Sequence, residues 1–194
     1  MLTVKDGKIE EEYDKFIKQN CLLPPNITSI TGITDKMLNE DGVDEKIVAC
    51  DLKERIERAN VMIAHNAQFD LSFIFSMLNR HFPDEAEDLV ANIDWIDTLS
   101  VFKDRKGFPH KLCDAVEYYE VEEVNFHRAI DDTKALYEVT QELKKERDDL
   151  KEYLNVFGFN PKYGIDGIRF SFIEYKSQPY NYRMVSEDRI LPRK

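Results

Sequence analysis

Residues 61–78 read VMIAHNAQFDLSFIFSML. The first four form a short apolar run, long enough for one buried strand and too short for a helix. From residue 66 the spacing turns helical, with Asn66 in the place of a cap. Asp70 then falls on the same helical face as Phe73, Ile74 and Met77, an acid on an apolar stripe. A carboxylate so placed is costly unless something pairs with it. Its position in the first turn offsets part of that cost, because the helix dipole favours negative charge there. A strand running straight into a helix is the unit of an α/β sheet, and the sites of such sheets lie where strands end and helices begin.

A second stretch, NFHRAIDDTKAL at 125–136, poses the same problem. From Ala129 a stripe runs Asp132, Leu136, Val139, Leu143, at i, i+4, i+7 and i+11. Asp131 shares its face with Glu138 and Glu142 and is expected to see solvent. Asp132 therefore needs a partner, and a metal ion is one way to supply it. His127, just ahead of the first turn, could reach the same place from outside the helix. Hard oxygen ligands of this kind suit Mg²⁺ or Mn²⁺. Each of these residues has a plain alternative, since a lone aspartate or histidine at a helix start is adequately explained as a cap or a salt-bridge partner.

Elsewhere the pattern continues as strand, helix, strand, helix. LTVKDGKIEEE reads as a hairpin with Asp6-Gly7 at its turn. Residues 44–59 form an amphipathic helix with Ile47, Val48, Leu52, Ile56 and Ala59 on one side. NIDWI at 92–96 is a second buried strand, and 111–119 and 128–155 are helices. Asp97 and Thr98 open a turn and are given no catalytic role. His65, His81 and His110 have no visible partners and are assigned to structure. The result is an α/β fold with a mixed sheet. Gly158 and Pro161 close the last long helix. Residues 156–194 make a C-terminal extension rich in aromatics, where Ile168, Phe170 and Phe172 alternate with Arg169, Ser171 and Ile173, as in a strand or hairpin. The division is thus 1–155 and 156–194.

Composition narrows the class. With 42% hydrophobic and 34% charged residues the chain is globular, and no apolar run approaches a membrane span. Three dispersed cysteines without a C-x-x-C pattern fit a cytoplasmic protein with neither disulfides nor a zinc site. The net charge of −11 argues against broad phosphate affinity, but the charge is uneven. Residues 156–194 hold seven basic and four acidic residues, against 20 and 34 in the rest. That leaves room for an enzyme that grips a chain end through metal ions.

VMIAHNAQFDLSFI and NFHRAIDDTKAL, in that order, resemble the second and third motifs of the DnaQ-like proofreading 3′–5′ exonucleases, the family of the DNA polymerase III epsilon subunit, in its DEDD class with a histidine. LPPNITSITGITDKML and IDTLSVF resemble two further segments of that family, so the similarity covers roughly residues 1–150. It implies a ribonuclease-H-like fold and two Mg²⁺ or Mn²⁺ ions that activate water against the terminal phosphodiester of a DNA strand. Carried across, it makes Asp70 and Asp132 metal ligands, His127 the general base, and Thr31 and Phe69 contacts to the terminal nucleotide. Single-stranded DNA 3′ ends are the implied substrate, with a DNA polymerase as partner; RNA ends are the alternative.

One motif of that family is not found. Its Asp-x-Glu, on the first strand of the sheet, supplies two of four carboxylates, and none of Asp6, Asp14, Asp35, Asp41, Asp44 or Asp51 has Glu two residues on. The hairpin VKDGKI would follow that strand, so the first strand is expected upstream of Met1. Three expectations stand together: an incomplete exonuclease domain that is inactive as given, a non-catalytic nucleic-acid- or polymerase-binding module, or a gap filled by another strand, such as the RFSFIEYK segment with Glu174.

Overall fold

The computed structural model describes residues 1–121 and 129–180. It opens with the expected hairpin, β1 (Leu2–Lys5) and β2 (Lys8–Glu12), paired antiparallel with an irregularity at Thr3/Val4. Asp6 and Gly7 both have positive φ, 50° and 73°, as a tight turn matching strand twist requires. Helices α1 (Pro25–Thr31), α2 (Asp35–Asp41) and α3 (Glu45–Arg58) follow, α2 capped by the Thr34 hydroxyl and α3 by the Asp44 carboxylate. On α3 the buried face is Val48, Ala49, Leu52 and Ile56, while Ile47 faces outward. Strand β3 (Val61–Ala64) leads into α4 (Ala67–His81), then α5 (Ala86–Ala91), β4 (Asp94–Asp97), α6 (Thr98–Arg105) and α7 (Leu112–Tyr118). Helix α8 (Ala129–Glu146) ends nine residues before the expected position 155. A short 3₁₀ turn (Leu150–Tyr153) takes up part of the difference and delivers the chain into β5 (Val156–Phe159) and β6 (Glu174–Ser177).

The strands form three two-stranded sheets: β1–β2 antiparallel, β3–β4 parallel and β5–β6 parallel. The pairing is mixed, as expected. β4 and β5 are linked through one residue: the Asn155 amide donates to the Trp95 carbonyl at 2.8 Å and the Trp95 amide to Asn155 Oδ1 at 2.9 Å. Alternating side chains of these strands go to opposite faces. Trp95 and Phe157 join a core with α3, α4 and α5, and Ile96 and Val156 join another with α6, α7 and α8. Helices on both faces of the two parallel strand pairs make a layered α/β fold. The hairpin is held between two helices, by Tyr13 Oη donating to Asp51 of α3 at 2.8 Å and Tyr137 Oη of α8 donating to the Gly7 carbonyl at 2.7 Å. The edge of β3 away from β4 pairs with no strand among the described residues, and Val61 and Ile63 are partly exposed there.

The C-terminal extension differs from the expected alternation. Residues 168–170 are irregular and Ser171 and Phe172 form a turn, and the strand lies just beyond, at Glu174–Ser177, parallel to β5 instead of in a hairpin. The reason is burial: Phe170 and Ile173 both enter the first core, a spacing of three that a flat strand cannot satisfy. Phe170 packs edge-on against Phe75 of α4. Tyr175 Oη donates to Gln68 Oε1 at 2.8 Å, which ties the extension to the same helix. Because β6 pairs with β5, RFSFIEYK does not fill a gap between β1 and β3; Glu174 is an exposed residue paired with Lys176 at 3.2 Å. No helix among the described residues is long and apolar enough to cross a membrane.

Candidate active site

The junction between β3 and α4 organises the site. Asn66 precedes the helix in the left-handed region, φ 71°, which asparagine tolerates, but its side chain makes no cap. The cap comes from elsewhere. Asp97, at the end of β4, accepts from the amides of Asn66 at 2.9 Å and Ala67 at 3.2 Å through Oδ1. The same oxygen accepts from the Leu99 amide at 3.1 Å, and Oδ2 accepts from the Ser100 hydroxyl. One buried carboxylate thus caps both α4 and α6, a role that the sequence pattern did not assign to it. The donors from α4 lie 30 residues away, and no local signal connects them.

His65 completes the junction. Its Nε2 lies 2.9 Å from the His110 carbonyl and so carries a proton, and its Nδ1 lies 3.1 Å from the Thr98 hydroxyl, which also reaches the Ala64 carbonyl at 3.2 Å. Burial holds its pKa below the usual histidine range, with the His110 carbonyl pulling the other way. His65 and His110, for which the sequence showed no partners, are joined through the His110 backbone carbonyl. His81 is also partnered, bonded to Glu45 at 2.9 Å.

Asp70 sits in the first turn of α4, half-buried. Burial raises its carboxyl pKa to about 6; its own backbone amide draws it down and the negative charge of Asp97 pushes it further up. No cation side chain pairs with it among the described residues. Of the residues that share its face, Ile74 and Met77 pack against the first core as expected, and Phe73 does not. Ala67, Leu71 and Leu78 are the buried residues of α4, whereas Phe73 is 63% exposed and stacks on Phe69, itself 55% exposed, at 4.7 Å between ring centres. Phe69 and Phe73 form an exposed, tilted ring pair near the start of α4.

Asp132 lies in the first turn of α8, whose buried residues are Ala135, Val139, Thr140 and Leu143. Asp131 is half-buried like Asp132, which corrects the expectation that it would be open to solvent. At the first turn of a helix the two faces are not yet separated by packing. Thr31 ends α1 with its hydroxyl donating to the Ile27 carbonyl at 2.8 Å and accepting from the Ile33 amide at 3.1 Å. His127 lies outside the described residues. Among the described residues, no three His, Cys, Asp or Glu side chains gather to hold a metal ion.

Comparison with known proteins agrees with this fold. The RNase_T exonuclease family matches residues 1–140. The chain is 29% identical over 140 residues to DNA polymerase III PolC-type of Caldanaerobacter subterraneus, and 35% over 136 residues to that of Bacillus subtilis, covering 70% and 68% of this chain but 9% of each relative. It is 27% identical over 205 residues to the 3′-5′ exonuclease DinG of Staphylococcus aureus, covering 98% of this chain and 21% of the relative. The chain thus spans a small part of these proteins' length. Two solved structures share the fold. Exonuclease X in complex with 5′ overhanging duplex DNA matches with a TM-score of 0.56 at 17% identity, covering 79% of this chain and 84% of that one. E. coli exonuclease I in complex with a dA16 oligonucleotide matches with a TM-score of 0.66 at 18% identity, covering 76% and 36%. The fold is the ribonuclease-H-like exonuclease fold, and the chain belongs to the RNase_T exonuclease family.

Proposed function

We propose that this RNase_T-family domain is a metal-dependent 3′–5′ exonuclease site for DNA, with Asp70 and Asp132 as metal ligands and His127 as general base. The observation that carries it is the Asp70 carboxylate: half-buried, raised to about 6 and unpaired by any cation among the described residues. A divalent ion is the partner such a group lacks, and a carboxylate is the hard oxygen donor that Mg²⁺ and Mn²⁺ take. When bound, the ions would stabilise the negative charge that develops on the phosphate oxygens and ease deprotonation of water. His127 would accept that water proton. Phe69 would stack on the terminal base and Thr31 would contact the terminal nucleotide. A DNA polymerase is the partner in keeping with the PolC-type relatives.

The second reading is a non-catalytic nucleic-acid-binding module on the same fold. It rests on the same two carboxylates, Asp70 and Asp132, that the enzymatic reading gives to the metal ions. Two carboxylates hold Mg²⁺ weakly, because the ion gives up its water shell reluctantly. We therefore expect the 194-residue chain with Mg²⁺ or Mn²⁺ to shorten a 5′-labelled single strand no faster than its His127→Ala variant. A version carrying an Asp-x-Glu strand ahead of Met1 should trim the labelled strand from its 3′ end, in a metal- and His127-dependent way. If that version binds the strand without trimming it, the enzymatic reading fails and the binding module stands.

A further inference from the structure

The aromatic residues of the C-terminal extension divide into two groups. Phe157, Phe170 and Phe172 pack into or against the first core. Tyr163 and Tyr180 do not: they are 66% and 40% exposed, with ring centres 6.3 Å apart. Tyr180 in turn meets Phe108, 47% exposed, at 5.4 Å, and stacks at 6.4 Å on His110 with an interplanar angle of 17°. Two lysines lie over these rings: Lys162 Nζ is 5.1 Å from the centre of Tyr163, and Lys103 Nζ is 5.2 Å from that of Tyr180. The phenylalanine comes from the α6–α7 loop and the tyrosines from the extension, so the fold alone brings them together.

We propose that this patch, Phe108, Tyr163 and Tyr180 with Lys103 and Lys162, is a stacking platform for the bases of single-stranded DNA. Exposed ring faces accompanied by amines are what a single strand needs, since every base offers a π-face and every linkage a negative charge. A duplex keeps its base faces stacked internally and offers the rings nothing. The sequence around Phe108 is locally basic, with four basic residues against one acidic over 103–111, in a chain of net charge −11. An apolar protein partner would have to bury both amines. The patch is also joined to the β3–α4 junction, because His110, stacked on Tyr180, offers its carbonyl to His65 at 2.9 Å. The inference rests on the exonuclease reading in one respect only, that a single strand is delivered to that junction.

The test is equilibrium binding of labelled dT16 to the whole chain in EDTA and low salt, which is blind to catalysis. Stacking contributes roughly 1–3 kcal/mol per base, so Tyr163→Ala should weaken binding about fivefold or more and Phe108→Ala/Tyr163→Ala further, while Tyr163→Trp should bind as wild type. Because Tyr163 is exposed, circular dichroism and melting should not change. An abasic strand of equal length should bind as weakly to wild type as dT16 does to the double variant. The proposal is overturned if wild type does not bind dT16, if the alanine variants keep its affinity, if the abasic strand binds equally well, or if oligouridine binds tenfold tighter than dT16. Failure of metal-dependent trimming, with this binding pattern intact, would count against the exonuclease reading and leave the patch standing.

Discussion

The carboxylate of Asp97 accepts the amide hydrogen of Ala67 at 3.2 Å, so the end of β4 caps the helix that carries Asp70. Two acids meet at one strand–helix junction, one fully hydrogen-bonded and one not. That difference governs what each does when it is changed.

Asp97→Ala should be destabilising. The change leaves three amides and one hydroxyl without their acceptor, two of them at the start of α4. A lost cap costs about 1 kcal/mol and a buried unsatisfied donor about 1–3 kcal/mol. We expect a loss of roughly 3 kcal/mol in urea unfolding. A loss under about 1 kcal/mol would show that water replaces the carboxylate freely.

Asp70 should make stability pH-dependent. Its folded-state pKa, about 6, lies above its ordinary 3.8, so its contribution favours folding below pH 3.8 and is lost as pH rises through 6. Asp70→Asn removes the charging step. Relative to wild type, the variant should gain stability between pH 4 and pH 7, by roughly 2–3 kcal/mol. Urea midpoints of the two proteins that stay parallel over that range would mean that Asp70 is not desolvated.

Asp132 and Asp131 should separate in function although their burial is alike. Asp132 stands three residues before buried Ala135 and seven before buried Val139, so it continues the inward stripe of α8. In a version that trims DNA, Asp132→Asn should lower the rate by a hundredfold or more, and Asp131→Asn by less than about threefold. Equal losses would remove Asp132 from the metal site.

Arg105, at the end of α6, is a buried ion-pair centre. Its side chain is almost fully enclosed and meets Glu146 at 3.4 Å, Asp149, and the carbonyls of Leu143 and Arg147. Removing one partner of a buried pair strands the other charges, at a cost of about 3–5 kcal/mol. Arg105→Ala should therefore unfold at markedly lower urea, whereas Lys145→Ala, which breaks an exposed pair with Glu142, should leave the urea midpoint close to that of wild type.

What the sequence determined by itself is local and periodic. VMIA is a strand at its quoted bounds, α3 lies within a residue of its expected limits, and the turn at Asp6-Gly7 forms, because chain periodicity and the φ preference of a turn act over a few residues. The α/β class followed from such units in order, and the exonuclease family from the resemblance of four segments to that family. The tertiary structure alone decided which faces are covered and which acids are paired. Periodicity put Phe73 and Ile47 on apolar faces, yet both stay exposed, since burial depends on what packs opposite. Phe170 and Ile173 look like alternating strand positions until the core draws both inward. Asp97 looked like a turn residue because its donors at Asn66 and Ala67 lie 30 residues away. A hydrogen bond across the fold leaves no mark in the spacing of neighbours, and that is why the cap of the Asp70 helix became visible only in three dimensions.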